Sequence, residues 1–427
     1  MKTFFISNKR LLSILVFMLI HFNCISNRNI DLIESSKGHS VVTGLDVLSN
    51  NNFADLKDKN IGLITNQTGV NREFVQNVEL FINSSVKLKA ILTPEHGLFG
   101  TKAAGEKIIL SNNHYSGIPV YSLYGETRKP TKTMLSDIDI LVFDIQDIGV
   151  RSYTYISTMG LAMEAAAEND LEFLILDRPN PLGLKKIEGN LLDSNFKSFI
   201  GMYPIPYVYG LTCGELANMI NESGWLQSNK CKLKIIKMKN YHRNINHEIL
   251  KNYWVPTSPH VPSISTPAYL VATGILGELG VFSNGVGFTM PFRTIAAPWI
   301  DENQLSHKMN MLELPGVEFR PIKYSPYYSI YKNDIINGIQ IYIHDQEQAN
   351  LILIQFYFLQ VHHELYPDKN PFEMASDKNI MMFDKAMGTD IIRKKFMVDF
   401  KVQDIQELLN TDLNEYYHFS RKYHLYD

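Results

Sequence analysis

The 427-residue sequence predicts an α/β protein in which a parallel-sheet domain precedes a smaller α+β domain. Between residues 61 and 185, short runs rich in Ile, Leu and Val alternate with segments of helical spacing. Such alternation is typical of a parallel sheet covered by helices on both faces. Beyond residue 185 the pattern becomes mixed, and "WVPTSPHVPSISTP" (254–267) contains four prolines, which exclude a regular element. We therefore place the domain boundary near this segment.

Four strands and two helices are predicted in the first domain. The strands are "IGLIT" (61–65), "VKLKAIL" (86–92), a run within "IDILVFDIQDIG" (138–149), and a run within "LEFLILDRPNP" (171–181). The helices are "REFVQNVELFI" (72–82) and "YISTMGLAMEAAAEN" (155–169), the second of which is rich in strong helix formers. No GxGxxG motif follows the first strand, so the fingerprint of a dinucleotide-binding domain is absent.

Further along the chain, "LTCGELANMI" (211–220) predicts a helix that Thr212 opens. Glu215 stands three residues later and completes a capping box, which favours a structural role for this glutamate over a catalytic one. In the second domain, "GIQIYIHD" (338–345) and the amphipathic "QEQANLILIQFYFLQVHHEL" (346–365) supply the β and α parts of an α+β unit.

The composition excludes several classes of protein. Hydrophobic residues make up 45% and charged residues 20%, as in an ordinary globular protein, and the net charge of −3 provides no basic surface for nucleic acid. Beyond the N-terminal region the cysteines are Cys213 and Cys231. Two cysteines without further ligands predict neither a disulfide framework nor a zinc site, and we expect both to be small buried residues.

The N-terminus has the pattern of an export signal. Lys2, Lys9 and Arg10 precede the apolar run "LLSILVFMLIHF" (11–22), which is short for a membrane span but suits a signal-peptide core. We interpret residues 1–24 as a signal peptide and expect a periplasmic or lipid-anchored location. Cys24 follows the run directly, so lipidation there is one alternative and ordinary cleavage nearby is the other. The preceding "HFN" matches a lipobox poorly.

Polar side chains follow all of the predicted strands of the first domain. Ligands of open α/β sheets bind beyond the carboxyl ends of the strands. Because the strands are parallel, the side chains that follow each of them are expected to converge on one edge of the sheet. In chain order they are Asn66 and Gln67, Glu95 and His96, Asp144 and Asp147, and Asp177, Arg178 and Asn180. Their convergence predicts a functional site at that edge.

The segment "TPEHG" supplies the first candidate acid. Glu95 and His96 stand between Pro94 and Gly97, in a turn that proline enters and glycine bends. Apolar Leu98 and Phe99 follow, and in their vicinity Glu95 would have a raised pKa and serve as a general acid. A solvent-facing loop carboxylate is the alternative. His96 either orients Glu95, binds substrate, or makes a structural hydrogen bond.

The segment "FDIQDIGVRSYTY" (143–155) is denser in functional groups. Asp144 and Asp147 precede Arg151 and Tyr153, and carboxylates, a guanidinium and phenols are the groups that a sugar site uses. One alternative is an internal ion pair of Asp144 with Arg151 or Arg178, and another is a Mg²⁺ site at the two aspartates. No histidine pair has the spacing of zinc ligands, and a GxSxG nucleophile elbow is missing.

Several segments together resemble one known family. They are "LITNQTGV", "PEHGLFG", "FDIQDIGVRSYTYISTM", "LDRPNPLG", "EGN", "YGLTCGELA", "SNGVGFTMPF" and "APWID", and they occur in the family's order. From about residue 40 to the C-terminus the chain resembles the bacterial NamZ-type exo-β-N-acetylmuramidases. The resemblance implies a Rossmann-like domain (40–262), a smaller C-terminal domain (263–427), and an active site in the cleft between them. It also implies release of terminal N-acetylmuramic acid from the non-reducing end of peptidoglycan fragments, without a cofactor.

The reasoning from residues and the resemblance agree on glycoside hydrolysis, which needs one carboxylic acid and a second carboxylate. We expect Glu95 to be the acid, with Asp147 or Glu188 as its partner, and Arg151 to bind the lactyl carboxylate of muramic acid. The expected substrate-binding residues are Asn66, His96, Asp144, Arg151, Tyr153, Asp177, Arg178 and Asn180.

The chain departs from the family at two places. Tyr209 stands where many members have histidine, and Val286 and Phe288 replace the Arg and Thr of a "GRGT" motif. If that arginine contacts substrate in the family, Arg151, Arg178 or Arg293 must replace it here. Two other functions stay open: a metal-dependent hydrolase using Asp144 and Asp147, and a non-catalytic, wall-binding lipoprotein.

Overall fold

The computed structural model describes residues 40–103, 105–106, 114–245 and 254–427. The predicted signal peptide and Cys24 lie outside the described residues. A seven-stranded sheet has the order β3-β4-β2-β1-β5-β6-β7, and all neighbouring pairs except β3–β4 are parallel. Its strands are β1 (Asn60–Thr65), β2 (Lys87–Thr93), β3 (His114–Tyr115), β4 (Ile118–Ser122), β5 (Ile140–Asp144), β6 (Glu172–Leu176) and β7 (Lys232–Ile236).

The four predicted strands of this sheet are confirmed as β1, β2, β5 and β6. Each carries a run of buried aliphatic residues, because helices cover both faces of the central strands. The register aligns Thr65 of β1 with Asp144 of β5, and Ile64 of β1 with Leu92 of β2. The carboxyl ends of these three strands therefore meet at one edge, as the sequence predicts.

Four helices belong to this sheet: α1 (Gly44–Asn50), α2 (Asn77–Ile82), α3 (Tyr155–Glu168) and α4 (Cys213–Glu222). The predicted capping box of α4 is present, since Thr212 and Glu215 each bond the other's backbone N–H. The helix predicted over 72–82 begins only at Asn77. The Asn71 side chain accepts bonds from the N–H groups of Glu73 and Val75, and these bonds hold the preceding residues in a turn.

The second, smaller sheet is antiparallel, with the order β8-β10-β9: β8 (Thr294–Ala297), β9 (Val317–Tyr324) and β10 (Ile336–Ile343). Its helices are α5 (Thr266–Gly277), α6 (Glu302–Asn310), α7 (Leu351–Leu365), α8 (Pro371–Met374), α9 (Asp377–Met387), α10 (Ile391–Asp399), α11 (Gln403–Asn410) and α12 (Leu413–Ser420). Short 3₁₀ helices span Ala54–Leu56, Ser194–Phe196 and Arg421–Tyr423. The predicted α/β architecture with a smaller α+β domain is confirmed.

The last residues of the chain return to the first domain. The Tyr416 side chain packs in the core around α3 and α4, and its hydroxyl donates to the Tyr209 carbonyl at 2.8 Å. The Tyr426 hydroxyl lies 2.7 Å from the Asp177 carboxylate. Within the described part of the chain, none of the helices has the length and hydrophobicity that a membrane crossing requires.

Candidate active site

A cleft of about 220 Å³ opens at the carboxyl edge of the large sheet, where the two domains meet. Its apolar lining includes Ile200, Val261, Leu270, Phe292 and Met382. Its polar lining consists of Glu95, His96, Ser152, Tyr153, Thr154, Tyr207, Ser258, His260 and Glu278. Among the described residues, the cleft lining contains carboxyl, hydroxyl and imidazole groups but no arginine or lysine.

Glu95 enters the cleft directly after β2. Its carboxylate accepts a hydrogen bond from the Gly105 N–H at 2.9 Å and another from the Thr154 hydroxyl at 2.8 Å. Burial and the hydrogen-bonded Glu95 carboxylate raise the pKa of Tyr124 to about 12. The expected apolar enclosure by Phe99 is not formed, because that ring is 65% exposed. Glu95 is therefore a buried carboxylate that polar donors hold in place, and it does not face solvent as the alternative interpretation required.

His96 is held by its own turn. It adopts a left-handed backbone conformation with φ of 71°, which is uncommon for a residue with a side chain. Its Nδ1 lies 2.7 Å from the Lys102 carbonyl oxygen, so Nδ1 carries the proton of that bond and Nε2 remains for other partners. The side chain is 6% exposed and lines the cleft. A strained backbone at a cleft residue is typical of a functional position.

The proline-rich segment forms one wall of the cleft, and the first domain fixes it there. Gln67 Nε2 donates to the carbonyls of Pro256 and Thr257 at 2.8 and 3.1 Å. The Tyr153 hydroxyl donates to Thr257 Oγ1 at 2.8 Å, and the Tyr155 hydroxyl to the Thr257 carbonyl at 2.6 Å. These bonds place the following Ser258 and His260 in the cleft. The predicted site residue Tyr153 thus both lines the cleft and supports its wall.

Asp144 and Arg178 lie at the same edge of the sheet but form a closed pair. Arg178 Nε and Nη2 donate to the two carboxylate oxygens of Asp144 at 2.6 and 3.1 Å. Asn77 Nδ2 donates to the same carboxylate at 2.7 Å, and Asp144 is completely buried. The internal ion pair that the sequence left open is therefore present. Neither side chain lines the cleft, so the structure does not place the pair at the position that a predicted substrate contact requires.

Arg151 lies outside the cleft lining, away from the position that its predicted role requires. The side chain is completely buried, and its guanidinium donates to the carbonyls of Asn190 and Ile205, each at 2.7 Å. It also donates to the carbonyl of Met387 at 2.6 Å, at the end of α9. Burial lowers the pKa of Arg151 to about 10. This arginine joins the two domains through backbone oxygens and is not available for the lactyl carboxylate.

Asp147 is buried beside the cleft without lining it. Its carboxylate accepts bonds from the Gly149 N–H at 2.7 Å and from the Tyr209 hydroxyl, while Oδ1 has no partner among the described residues. Burial raises the pKa of Asp147 to about 6, against the opposing effect of these donors. Tyr209 is thus the partner of a buried acid. The prediction of Asp147 as the second catalytic carboxylate is not supported by this position.

Glu188 lies in a different cavity. Its carboxylate pairs with Lys186 at 2.7 Å and accepts a bond from the Ile352 N–H at 3.1 Å at the start of α7. That cavity is lined by residues 182–188, 243–245 and 346–350 and does not include Glu95. Glu188 therefore links the domains, and the structure does not bring it together with Glu95 as its predicted catalytic role requires.

The remaining predicted residues support the edge of the sheet. Asp177 accepts bonds from the Thr212 hydroxyl, the Gly214 N–H and the Tyr426 hydroxyl. Asn180 bonds within its own turn and to the Leu211 carbonyl at 2.9 Å. Both are buried and outside the cleft lining, where they support the sheet edge and do not face the cleft that Glu95 lines.

Asn66 is also completely buried. Its Oδ1 accepts bonds from the Thr68 N–H and hydroxyl, at 2.9 and 2.6 Å. Through these bonds it shapes the turn after β1, and it does not line the cleft. The structure therefore does not bring Asn66 together with Glu95 in the cleft.

The described residues contain no group of three or more His, Cys, Asp or Glu side chains that could hold a metal ion. The magnesium alternative fails on the donors themselves, because both oxygens of Asp144 already bind Arg178. Asp147 offers only one unpartnered oxygen. The two aspartates therefore do not present the several oxygen ligands that Mg²⁺ or Ca²⁺ requires.

Several polar cleft residues were not predicted: Ser152, Thr154, Tyr207, Ser258, His260 and Glu278. The sequence does carry a signal for Glu278, which is the single charged residue in the apolar run "YLVATGILGELGVF" (269–282). Ser258 and His260 stand in a segment whose irregularity was predicted correctly. Its contact with the cleft depends on bonds to residues almost two hundred positions away, which local patterns do not show.

Comparison with known proteins agrees with this architecture. The chain matches two consecutive family models of the exo-β-N-acetylmuramidase NamZ, the N-terminal model over residues 61–265 and the C-terminal model over residues 269–426. The peptidoglycan β-N-acetylmuramidase NamZ of Bacillus subtilis (strain 168) is 38% identical over 394 residues, which cover 92% of this chain and 93% of that protein.

Two crystal structures of DUF1343 family proteins from Bacteroides fragilis NCTC 9343 share the fold. One has a TM-score of 0.86 and 44% identity over 91% of this chain and 100% of that chain. The other has a TM-score of 0.72 and 27% identity over 91% and 99% of the two chains. Since the family models together span most of both domains, the chain belongs to the NamZ exo-β-N-acetylmuramidase family.

Proposed function

We propose that this protein is an exo-acting glycoside hydrolase that releases N-acetylmuramic acid from the non-reducing end of peptidoglycan fragments. The observation that carries the proposal is the position of Glu95, a buried carboxylate fixed by Gly105 and Thr154 in a cleft between the two domains of a NamZ family member. Hydrolysis of a glycosidic bond needs such a carboxyl group within reach of the sugar.

The cleft also offers partners for an acidic sugar. Muramic acid carries a lactyl carboxylate, and the basic side chains of the cleft lining are His96 and His260. Burial and the neighbouring His96 lower the pKa of His260. A carboxylate bound beside His260 would offset this effect and favour the protonated form of His260. We assign the recognition of the lactyl group to these histidines in place of Arg151.

Product analysis tests the proposed activity. The substrate is the disaccharide of N-acetylmuramic acid linked to N-acetylglucosamine, incubated with the protein with and without a chelator. We expect release of both monosaccharides at equal rates in the two samples, and no release by the Glu95→Gln variant. Cleavage inside long glycan strands, or no cleavage of the disaccharide, would contradict an exo-acting muramidase. Loss of activity with the chelator would favour the metal-dependent alternative.

The site of action follows from the N-terminal sequence pattern. We propose that the protein is exported and that its mature form begins near residues 24–28, because basic residues precede an apolar run of signal-peptide length. Mass spectrometry of the protein from its native host measures the N-terminus directly. An intact Met1 refutes export, whereas a diacylated Cys24 shows that the protein is lipid-anchored.

A further inference from the structure

Glu278 lines the cleft from the second domain. It is the C-cap residue of α5, where its N–H donates to the Ile275 carbonyl at 3.1 Å. Its own carbonyl accepts a bond from Asn379 Nδ2 of α9 at 2.7 Å. The backbone of Glu278 is therefore fixed from two sides, and its side chain starts from a defined position at the cleft.

The Glu278 carboxyl group has no hydrogen-bond or ion-pair partner among the described residues. A partly buried carboxylate without a partner is unfavourable, and the negative end of the α5 dipole adds to this cost. Burial accordingly raises the pKa of Glu278. Such a group retains its proton more readily than a solvated glutamate does, and a proton donor in a glycosidase needs this property.

Other ionisable groups near Glu278 do not neutralise it. From the first domain, Tyr207 shares the cleft, and the Glu278 charge contributes to its raised pKa. Glu95 and His96 line the cleft from the same domain, and His260 lines it from the proline-rich wall. The packed helix α9 contributes Met382 and Ala386 to the cleft, while its Asp384 pairs with Arg393 at 2.7 Å. From α7, the neutral Gln355 amide binds α5 at the Leu276 N–H.

The two glutamates of the cleft thus have opposite surroundings. Glu95 accepts hydrogen bonds at both carboxylate oxygens, whereas Glu278 has no donor near it. Glycoside hydrolysis requires one carboxylate that accepts a proton or attacks the sugar and one carboxylic acid that donates a proton, and the cleft contains a candidate for each. We propose that Glu278 is the second catalytic carboxyl group and protonates the leaving oxygen, while Glu95 acts as the carboxylate. This assignment rests on the proposed function.

In a direct displacement, the bond between the anomeric carbon and the glycosidic oxygen breaks, and its electron pair goes to that oxygen. The oxygen takes the Glu278 proton and leaves as the hydroxyl of the remaining sugar. The anomeric carbon bonds to the oxygen of a water molecule, whose proton passes to Glu95. Exchange with solvent then returns both groups to their starting state, so that one water molecule is consumed in each turnover.

A pair of substrates with different leaving groups tests this role. The leaving group of the disaccharide is a poorly acidic sugar hydroxyl, which needs a proton. The leaving group of 4-nitrophenyl β-N-acetylmuramide is a phenolate, which needs none. We expect Glu278→Gln to lower kcat at least a hundredfold on the disaccharide and less than tenfold on the nitrophenyl substrate. Glu95→Gln lowers both. The control Glu407→Gln, an exposed position on α11, lowers neither.

The pH profile supplies a readout that a purely structural role would not change. With saturating disaccharide, kcat of the wild type falls on the alkaline side as Glu278 loses its proton, and this limb is absent in Glu278→Gln. With the nitrophenyl substrate the limb is weak even in the wild type, and this comparison does not depend on the folding of a variant.

An intact alkaline limb in Glu278→Gln, or equal losses on both substrates, overturns the assignment. A wild-type limb of the same size on both substrates also overturns it. Wild-type protein that hydrolyses neither substrate overturns the proposed function itself, whatever the variants do.

Discussion

The ends of β2 and β5 follow the same sequence pattern, an apolar strand and then a group of polar residues, but serve different purposes. After β2, Glu95 and His96 face a cleft. After β5, Asp144 is completely buried and bound by Arg178 and Asn77. The difference lies in what covers each strand end. The proline-rich segment and the end of β2 line a common cleft, whereas the turns after β1 and β6 bond directly to the end of β5 through Thr68 and Arg178. Polar residues at a strand end therefore predict an important position, but not whether it touches substrate.

The largest expected effect is a loss of activity on substitution at the end of β2, which the end of β5 should not share. Glu95→Gln replaces the carboxylate by an amide, which can neither donate nor accept the proton. We therefore expect kcat to fall about 10²–10⁴-fold with little change in KM. The free energy of unfolding should fall by only about 1–3 kcal/mol, because the amide NH2 group cannot accept one of the two buried hydrogen bonds. Steady-state kinetics and chemical denaturation measure the two quantities, with exposed Glu79→Gln as the control. A loss below tenfold would place Glu95 in the same structural class as Asp144.

The second prediction concerns the Asp144–Arg178 ion pair at the end of β5. Arg178→Met leaves the Asp144 carboxylate buried without its cation, and removing one partner of such a pair costs about 3–5 kcal/mol of stability. Urea denaturation of the variant measures this loss. Lys395→Met removes an exposed charge from α10 and should change stability by less than about 0.5 kcal/mol. If Arg178→Met is as stable as the wild type but inactive, Arg178 contacts substrate and the comparison fails.

The smallest effect concerns Asp147, which lies between the two ends. Its pKa in the folded protein is about 6, above its ordinary value of 3.8. Between pH 3.8 and about pH 6, the folded protein therefore keeps a proton on Asp147 that the unfolded chain has lost. The contribution of Asp147 to stability therefore falls as pH rises from about 4 to about 6. Each pKa unit corresponds to about 1.4 kcal/mol. Asp147→Asn does not titrate, so its stability relative to the wild type should rise by up to about 3 kcal/mol across this range.

Denaturation of both proteins at pH 4.5 and pH 7 measures this relative stability. A constant difference between the two pH values would mean that Asp147 is not the buried acid that the structure places there.

Local patterns predicted the fold well because burial on both faces of a parallel sheet imposes a composition on each strand. They predicted the site less well. Glu95, His96 and Tyr153 reach the cleft as expected, and their turn residues show where the chain leaves the sheet. The fate of Arg151 depends on carbonyls at residues 190, 205 and 387, which only the assembled domains bring together. Glu278 comes from the other domain, so no pattern around Glu95 points to it.

The return of the chain to its first domain has a consequence for the order of folding. Asp177 lies at the end of β6, yet one of its hydrogen-bond donors is Tyr426, and the Arg243 N–H binds the Asp427 carbonyl at 2.7 Å. During synthesis, the large sheet is complete long before these residues leave the ribosome. Until they arrive, a buried carboxylate lacks a donor and the core around α3 and α4 lacks Tyr416. The first domain therefore reaches its final stability only after the second has been made, and the two behave as one cooperative unit in unfolding.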